Sequence, residues 1–82
     1  MIQVQVLFFA SIRSIIGQKE LGVELPPGSN VHDLKLKIIE LYPHTDQAMK
    51  NMLTSVNRVF SDDDTLLSDQ AEIAFFPHIA GG

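Results

Sequence analysis

The sequence predicts an α+β domain in which one main helix lies across one face of a mixed sheet. Three observations predict it. The first residues alternate apolar and polar with the period of a half-buried strand. A central stretch, bounded by a Pro-Pro-Gly turn and a later proline, carries apolar residues at helical spacing. Strand-like alternation then returns before the chain ends. The length, 82 residues, allows one domain with one modest core, because a chain of this size removes only about 60 to 65% of its unfolded surface from water.

From Ile2 to Phe8, Ile2, Val4, Val6 and Phe8 alternate with Gln3, Gln5 and Leu7, so the first element is a strand. Ala10 to Ile16 is a short helical segment stopped by Gly17, a residue able to take the left-handed conformation that closes many helices. Lys19 to Leu25 sets Leu21, Val23 and Leu25 against Glu20, Gly22 and Glu24, a second strand facing the first in a hairpin-like start. Pro26-Pro27-Gly28-Ser29 is a turn, after which Asn30 stands at an N-cap position with Asp33 near the positive end of the helix dipole. The main helix is predicted from Val31 to Tyr42. Val31, Leu34, Ile38 and Leu41 share its apolar face, Lys35, Lys37 and Glu40 lie outside that face, and Pro43 prevents continuation.

Thr45 to Met52 reads as a second, shorter helix capped by Thr45 or Asp46. Leu53 to Phe60 follows as two short strands bent at Asn57-Arg58, Ser61 to Thr65 as a solvated polar loop, and Leu66-Leu67 as a small apolar anchor. Glu72 to Phe76 is a last strand ended by Pro77. Early strands, one long helix and late strands form the element order of a β-grasp (ubiquitin-like) fold, which implies that the first and last strands run side by side and parallel. The domain is expected over residues 1–76, with 77–82 as a flexible tail.

Alternation sorts the two faces of that sheet. With Ile2, Val4, Val6 and Phe8 turned to the helix, Leu7 and Phe9 point away; with Ile73 and Phe75 turned in, Ala74 and Phe76 point away. Leu7, Phe9 and Phe76, joined by Phe60, are expected to form an apolar patch on the side from which the tail departs, the usual mark of a partner surface.

Composition narrows the function. Without cysteine there is no disulfide framework, no cysteine-ligated zinc or iron-sulfur centre and no thiol nucleophile, which agrees with a reducing compartment. A net charge of -4 with six scattered Lys and Arg residues argues against nucleic acid and suits basic partner proteins. The N-terminal stretch lacks the pattern of a secretory signal, and no apolar run approaches the roughly 20 residues that cross a bilayer, so the chain reads as cytoplasmic. His32, His44 and His78 fall in the helix, a turn and the tail with no metal-ligand spacing, and Asp62-Asp63-Asp64 lacks the glycine and glutamate of a calcium loop. Neither a metal nor a bound cofactor is expected. No nucleophile elbow accompanies the serines.

The strongest signal is the ending Gly81-Gly82, which a random chain would show only about one time in 200. Two residues without Cβ can thread a channel too narrow for any side chain and leave the terminal carboxylate unhindered. That carboxylate is ionised at neutral pH and is a very poor electrophile, so it needs ATP to become an acyl donor. The six residues Pro77, His78, Ile79, Ala80, Gly81 and Gly82 reach about 20 Å at about 3.3 Å each, the depth of an active-site cleft.

Residues before the diglycine carry a resemblance. Glu72, Ala74-Phe75-Phe76-Pro77 and Gly81-Gly82 match, with Ile73 and Ile79 as conservative changes, the ending close to DGDEVAFFPPVSGG found in the small subunit of molybdopterin synthase, the MoaD family. Val6-Leu7-Phe8-Phe9-Ala10 with Arg13 also resembles that family, so the likeness spans the chain. It departs at Gln70-Ala71, where Gly-Asp is usual, at His78 in place of a second proline, and at Ala80 in place of a small hydroxyl residue. The resemblance implies a ubiquitin-like sulfur carrier that is not catalytic alone. An ATP-dependent activating enzyme would adenylate Gly82, sulfur would convert it to a thiocarboxylate, and the larger catalytic subunit of molybdopterin synthase would pass that sulfur to a cyclic pyranopterin within a hetero-oligomer. Arg13 would face an acidic group of a partner; a solvated surface arginine is its default reading. Alternatives are a carrier for thiamin or tRNA thiolation, a ubiquitin-like modifier joined to lysines, and an interaction module whose tail does no chemistry.

Overall fold

The computed structural model describes residues 1–77. Strand β1 (Ile2–Phe8) leads through helix α1 (Ala10–Ile16) to β2 (Glu20–Leu25), and α2 (Val31–Leu41) follows. A 3-10 turn at Pro43–Thr45 precedes α3 (Asp46–Lys50), β3 (Met52–Val56), β4 (Val59–Ser61) and β5 (Glu72–Pro77). The sheet order is β2-β1-β5-β3-β4. Among the described residues only the β1–β5 pair is parallel, placing Val6 beside Ile73 and Phe8 beside Phe75, and the other strand pairs are antiparallel. This is the β-grasp arrangement expected from the order of elements.

The alternation read from the sequence sets the core. Val4, Val6 and Phe8 of β1, Val23 and Leu25 of β2, and Ile73 and Phe75 of β5 are buried against Val31, Leu34 and Ile38 of α2. Phe8 and Phe75 stack with ring centroids 6.3 Å apart. Ile12 and Ile16 of α1 and Met49 of α3 belong to the same core. Gly17 ends α1 with φ 83°, so the β1–β2 connection contains a helix closed by a left-handed glycine.

Helix α2 begins with a reciprocal cap. The Asp33 N–H donates to Asn30 Oδ1 at 2.9 Å and the Asn30 N–H donates to Asp33 Oδ2 at 3.0 Å, satisfying two donors that the first turn leaves free. Its buried face differs from the expected one. Lys35 is buried and Leu41 is 50% exposed. Val31, Leu34, Lys35 and Ile38 follow the i, i+3, i+4, i+7 stripe, and Leu41 falls one step off it, where Tyr42 continues the contact with the core.

The buried Lys35 is partnered there, its Nζ donating to Asp63 Oδ1 at 2.8 Å. The aspartate run is therefore more than a solvated loop. Asp63 also lies 3.7 Å from His32 Nδ1, Asp62 Oδ1 accepts from the Asp64 N–H, and the Val31 and His32 N–H groups donate to Thr65 and Asp63 carbonyls. Of the apolar anchor, Leu67 is buried and Leu66 is 70% exposed.

Between Pro43 and Met52 the predicted helix is shortened. Thr45 occupies the position before α3, but its Oγ1 donates back to the Tyr42 carbonyl at 2.7 Å and caps nothing. Met52 is drawn into β3 by its pairing with Pro77 of β5. Pro77 thus belongs to the strand; at a strand's end its missing N–H is tolerated. Among the described residues no helix is long and apolar enough to cross a membrane.

Candidate functional site

The face of the sheet away from α2 divides into two halves. Toward the β2 edge it is polar, with Gln3 Nε2 donating to Glu24 at 2.7 Å and Gln5 Nε2 donating to Glu20 at 3.3 Å. Toward β4 it is apolar. Register places Leu7 beside Ala74, Ala74 beside Ser55 and Ser55 beside Phe60, so one row crosses four strands. Leu53 beside Phe76 belongs to the next row.

This row makes a concavity for a steric reason. Small Ala74 and Ser55 form its floor, whereas Leu7, Phe9, Phe60 and Phe76 stand around them and enclose an open recess of about 440 Å³. Phe60 and Phe76 meet edge to face with centroids 5.6 Å apart, a geometry aromatic pairs favour. Phe60 is 73% exposed and Phe9 48%. The structure thus brings together Leu7, Phe9, Phe60 and Phe76. Arg13, exposed on α1, lines a second recess that shares Leu7 and Phe9 and also touches Lys19 and Glu20.

Sequence reasoning missed Ser55 and Arg58 at this recess. Ser55 reads as an ordinary polar strand residue until cross-strand pairing puts it between Ala74 and Phe60. Arg58 was visible only as a bend. It lies in the β3–β4 turn, with Nε 3.7 Å from Glu72 Oε1.

Strand β5 runs from the recess to Pro77, the last described residue. Its Phe75 carbonyl accepts from the Phe9 N–H at 3.2 Å, and Phe76, the next residue, lines the recess. The expected tail residues His78, Ile79, Ala80, Gly81 and Gly82 lie outside the described residues. Among the described residues no three His, Asp or Glu side chains converge as a metal site would require.

A five-stranded mixed sheet holding one long helix, with parallel first and last strands and an apolar recess beside the last, defines a ubiquitin-like β-grasp protein. Comparison with known proteins agrees at the level of sequence. The ThiS family model matches residues 6–82. The molybdopterin synthase sulfur carrier subunit of Chlamydomonas reinhardtii is 34% identical over 82 residues, covering 98% of this chain and 99% of that protein. The chain belongs to the ThiS family and, within it, to the molybdopterin synthase sulfur carrier subunits. Among solved structures, small archaeal modifier protein 1 from Methanosarcina acetivorans is 25% identical with a TM-score of 0.84, over 100% of this chain and 98% of that one. A chain from the complex of subunits 1 and 2 of the molybdopterin-converting factor from Helicobacter pylori is 20% identical with a TM-score of 0.71, over 99% of this chain and 100% of that one.

Proposed function

We propose that this chain is the sulfur-donating subunit of a molybdopterin synthase and that Gly82 is the group it carries. The observation that carries the reading is the family match running through the diglycine to Gly82. In this reading a carboxylate oxygen of Gly82 attacks the α-phosphate of ATP on an activating enzyme, releasing pyrophosphate and leaving an acyl adenylate. The anhydride supplies the leaving group that a bare carboxylate lacks. A sulfide-level donor then displaces AMP to give the thiocarboxylate. Sulfur passes from it to the cyclic pyranopterin, and water restores the carboxylate.

The chain's own residues deliver the group. The apolar recess docks the larger synthase subunit, a reading supported by the likeness to a chain from the complex of subunits 1 and 2 in Helicobacter pylori, and β5, whose Phe76 lines that recess, precedes the tail in sequence. Acid, base and oxyanion-stabilising groups belong to the partners, since glycines carry no side chain able to supply them. The cycle runs in the cytoplasm, where the chain carries no bound cofactor of its own.

Adding one alanine after Gly82 tests the site. The extended protein is expected to keep its far-UV circular dichroism and its melting temperature but to form no thiocarboxylate, because folding rests on the core and loading on a free glycine carboxylate. Normal loading of the extended chain would sink the assignment. A second reading, a protein modifier joined to lysines through the same activated Gly82, is favoured by the likeness to the archaeal modifier protein. Lysine conjugates retained after boiling in detergent would support it.

A further inference from the structure

The six basic residues of this acidic chain are unevenly placed. Lys35, Lys37 and Lys50 sit on α2 and α3, each with a carboxylate nearby: Asp63 at 2.8 Å, Glu40 at 3.8 Å and Asp46 at 3.6 Å. Arg13, Lys19 and Arg58 instead line the two recesses that meet at Leu7 and Phe9. Among the described residues Arg13 and Lys19 form no ion pair, and Arg58 has only the 3.7 Å approach to Glu72 with its side chain 89% exposed. Such an exposed contact holds an arginine weakly. The charged residues lining the recesses are thus three cations against two carboxylates, in a chain of net charge -4.

The backbone singles out Arg58 among them. Val56 pairs with Val59, so Asn57 and Arg58 alone turn the chain, and both have positive φ, 50° and 70°. A two-residue turn with both residues in that region favours Asn followed by Gly. Asn57 fits, and its Oδ1 accepts from the Glu72 N–H at 2.9 Å while its own N–H donates to the Glu72 carbonyl at 2.7 Å, pinning the turn to β5. Arg58 does not fit on backbone grounds, because a Cβ in the left-handed region costs stability that glycine would spare. What the side chain gains is position, a guanidinium at the margin of the recess walled by Phe60, Phe76 and Leu7.

We propose that Arg58 selects the partner by pairing with a carboxylate that borders the apolar element docking in this recess. The inference rests on the docking reading above and gives that surface its chemistry. Overall charge would point to a basic partner; the local charge points to an acidic rim. Arginine suits the task because its planar fork of N–H donors can hold a carboxylate through two hydrogen bonds. Rim charges of this kind act mostly on association rate and salt dependence.

The test is binding of the larger synthase subunit by surface plasmon resonance at low and physiological salt. It compares the wild type with Arg58→Gly, Arg58→Glu and Phe60→Ala. Arg58→Glu is expected to weaken binding about tenfold at low salt, chiefly through the association rate, and Arg58→Gly to flatten the salt dependence. Arg58→Gly should also raise the melting temperature by about 4 °C, separating lost affinity from lost folding. If both Arg58 variants bind like the wild type, or Arg58→Glu binds more tightly, while Phe60→Ala loses binding, the proposal fails and the docking face stands. If Phe60→Ala also binds like the wild type, the docking reading fails with it.

Discussion

Gln70 holds a left-handed backbone (φ 67°) at the turn that feeds β5. The turn is tied to β1 by two bonds, the Gln70 N–H to the Gln3 carbonyl at 2.6 Å and the Gln3 N–H to Asp69 Oδ1 at 2.8 Å, so the chain cannot relax out of that conformation cheaply. Removing the Cβ in Gln70→Gly is expected to raise stability by about 0.5 to 1 kcal/mol, the relief exceeding the entropy gained by the unfolded chain. A urea titration would show a higher midpoint with an unchanged slope. The site is legible in the sequence as a departure from the family's Gly-Asp; its positive φ is not. Lys35 shows the same limit, since the sequence sets it outside the apolar face of the helix, and its burial makes sense only once Asp63, 28 positions later, is seen to meet it.

At the scale of elements, α2 and β5 organise the molecule, one as the body that the sheet wraps and the other as the strand between β1 and β3. Their existence was readable because both periodicities are strong, Val31, Leu34 and Ile38 at helical spacing and Ile73 and Phe75 two apart; their faces were too, except that Lys35 replaces Leu41 on the buried side of α2. Boundaries were less readable. Pro43 ends α2 through a local steric rule, whereas Met52 leaves α3 because β5 offers it a partner, a nonlocal contact that local propensity does not contain. The Asn30 cap was visible in the residues around the turn. Asn30→Ala is expected to cost about 1 kcal/mol, read as a lower melting temperature, because it removes one half of the reciprocal cap. Loading at Gly82 should be unaffected in the folded protein, since the cap lies on the helix side of the sheet.

For the whole molecule, the division of labour follows from the sheet. One face is used up by the core. The other carries the recess, and β5 leads from it toward the segment outside the described residues. Outward Leu7, Phe9 and Phe76 followed from alternation alone. The concavity did not, because it depends on Ala74 and Ser55 being brought into line by strand register. Net charge is summed over the chain while a partner meets only one face, and on this one Arg13, Lys19 and Arg58 stand beside Glu20 and Glu72.

The central claim, that Gly82 is an acyl group loaded with sulfur, is tested most directly by intact-protein mass spectrometry after incubation with ATP, a sulfur source and the cognate activating enzyme. The expected result is a mass gain equal to the exchange of one oxygen for one sulfur atom, located at Gly82 by fragmentation and absent when ATP is withheld. An unchanged mass, with the same enzyme loading a known carrier in parallel, would contradict it.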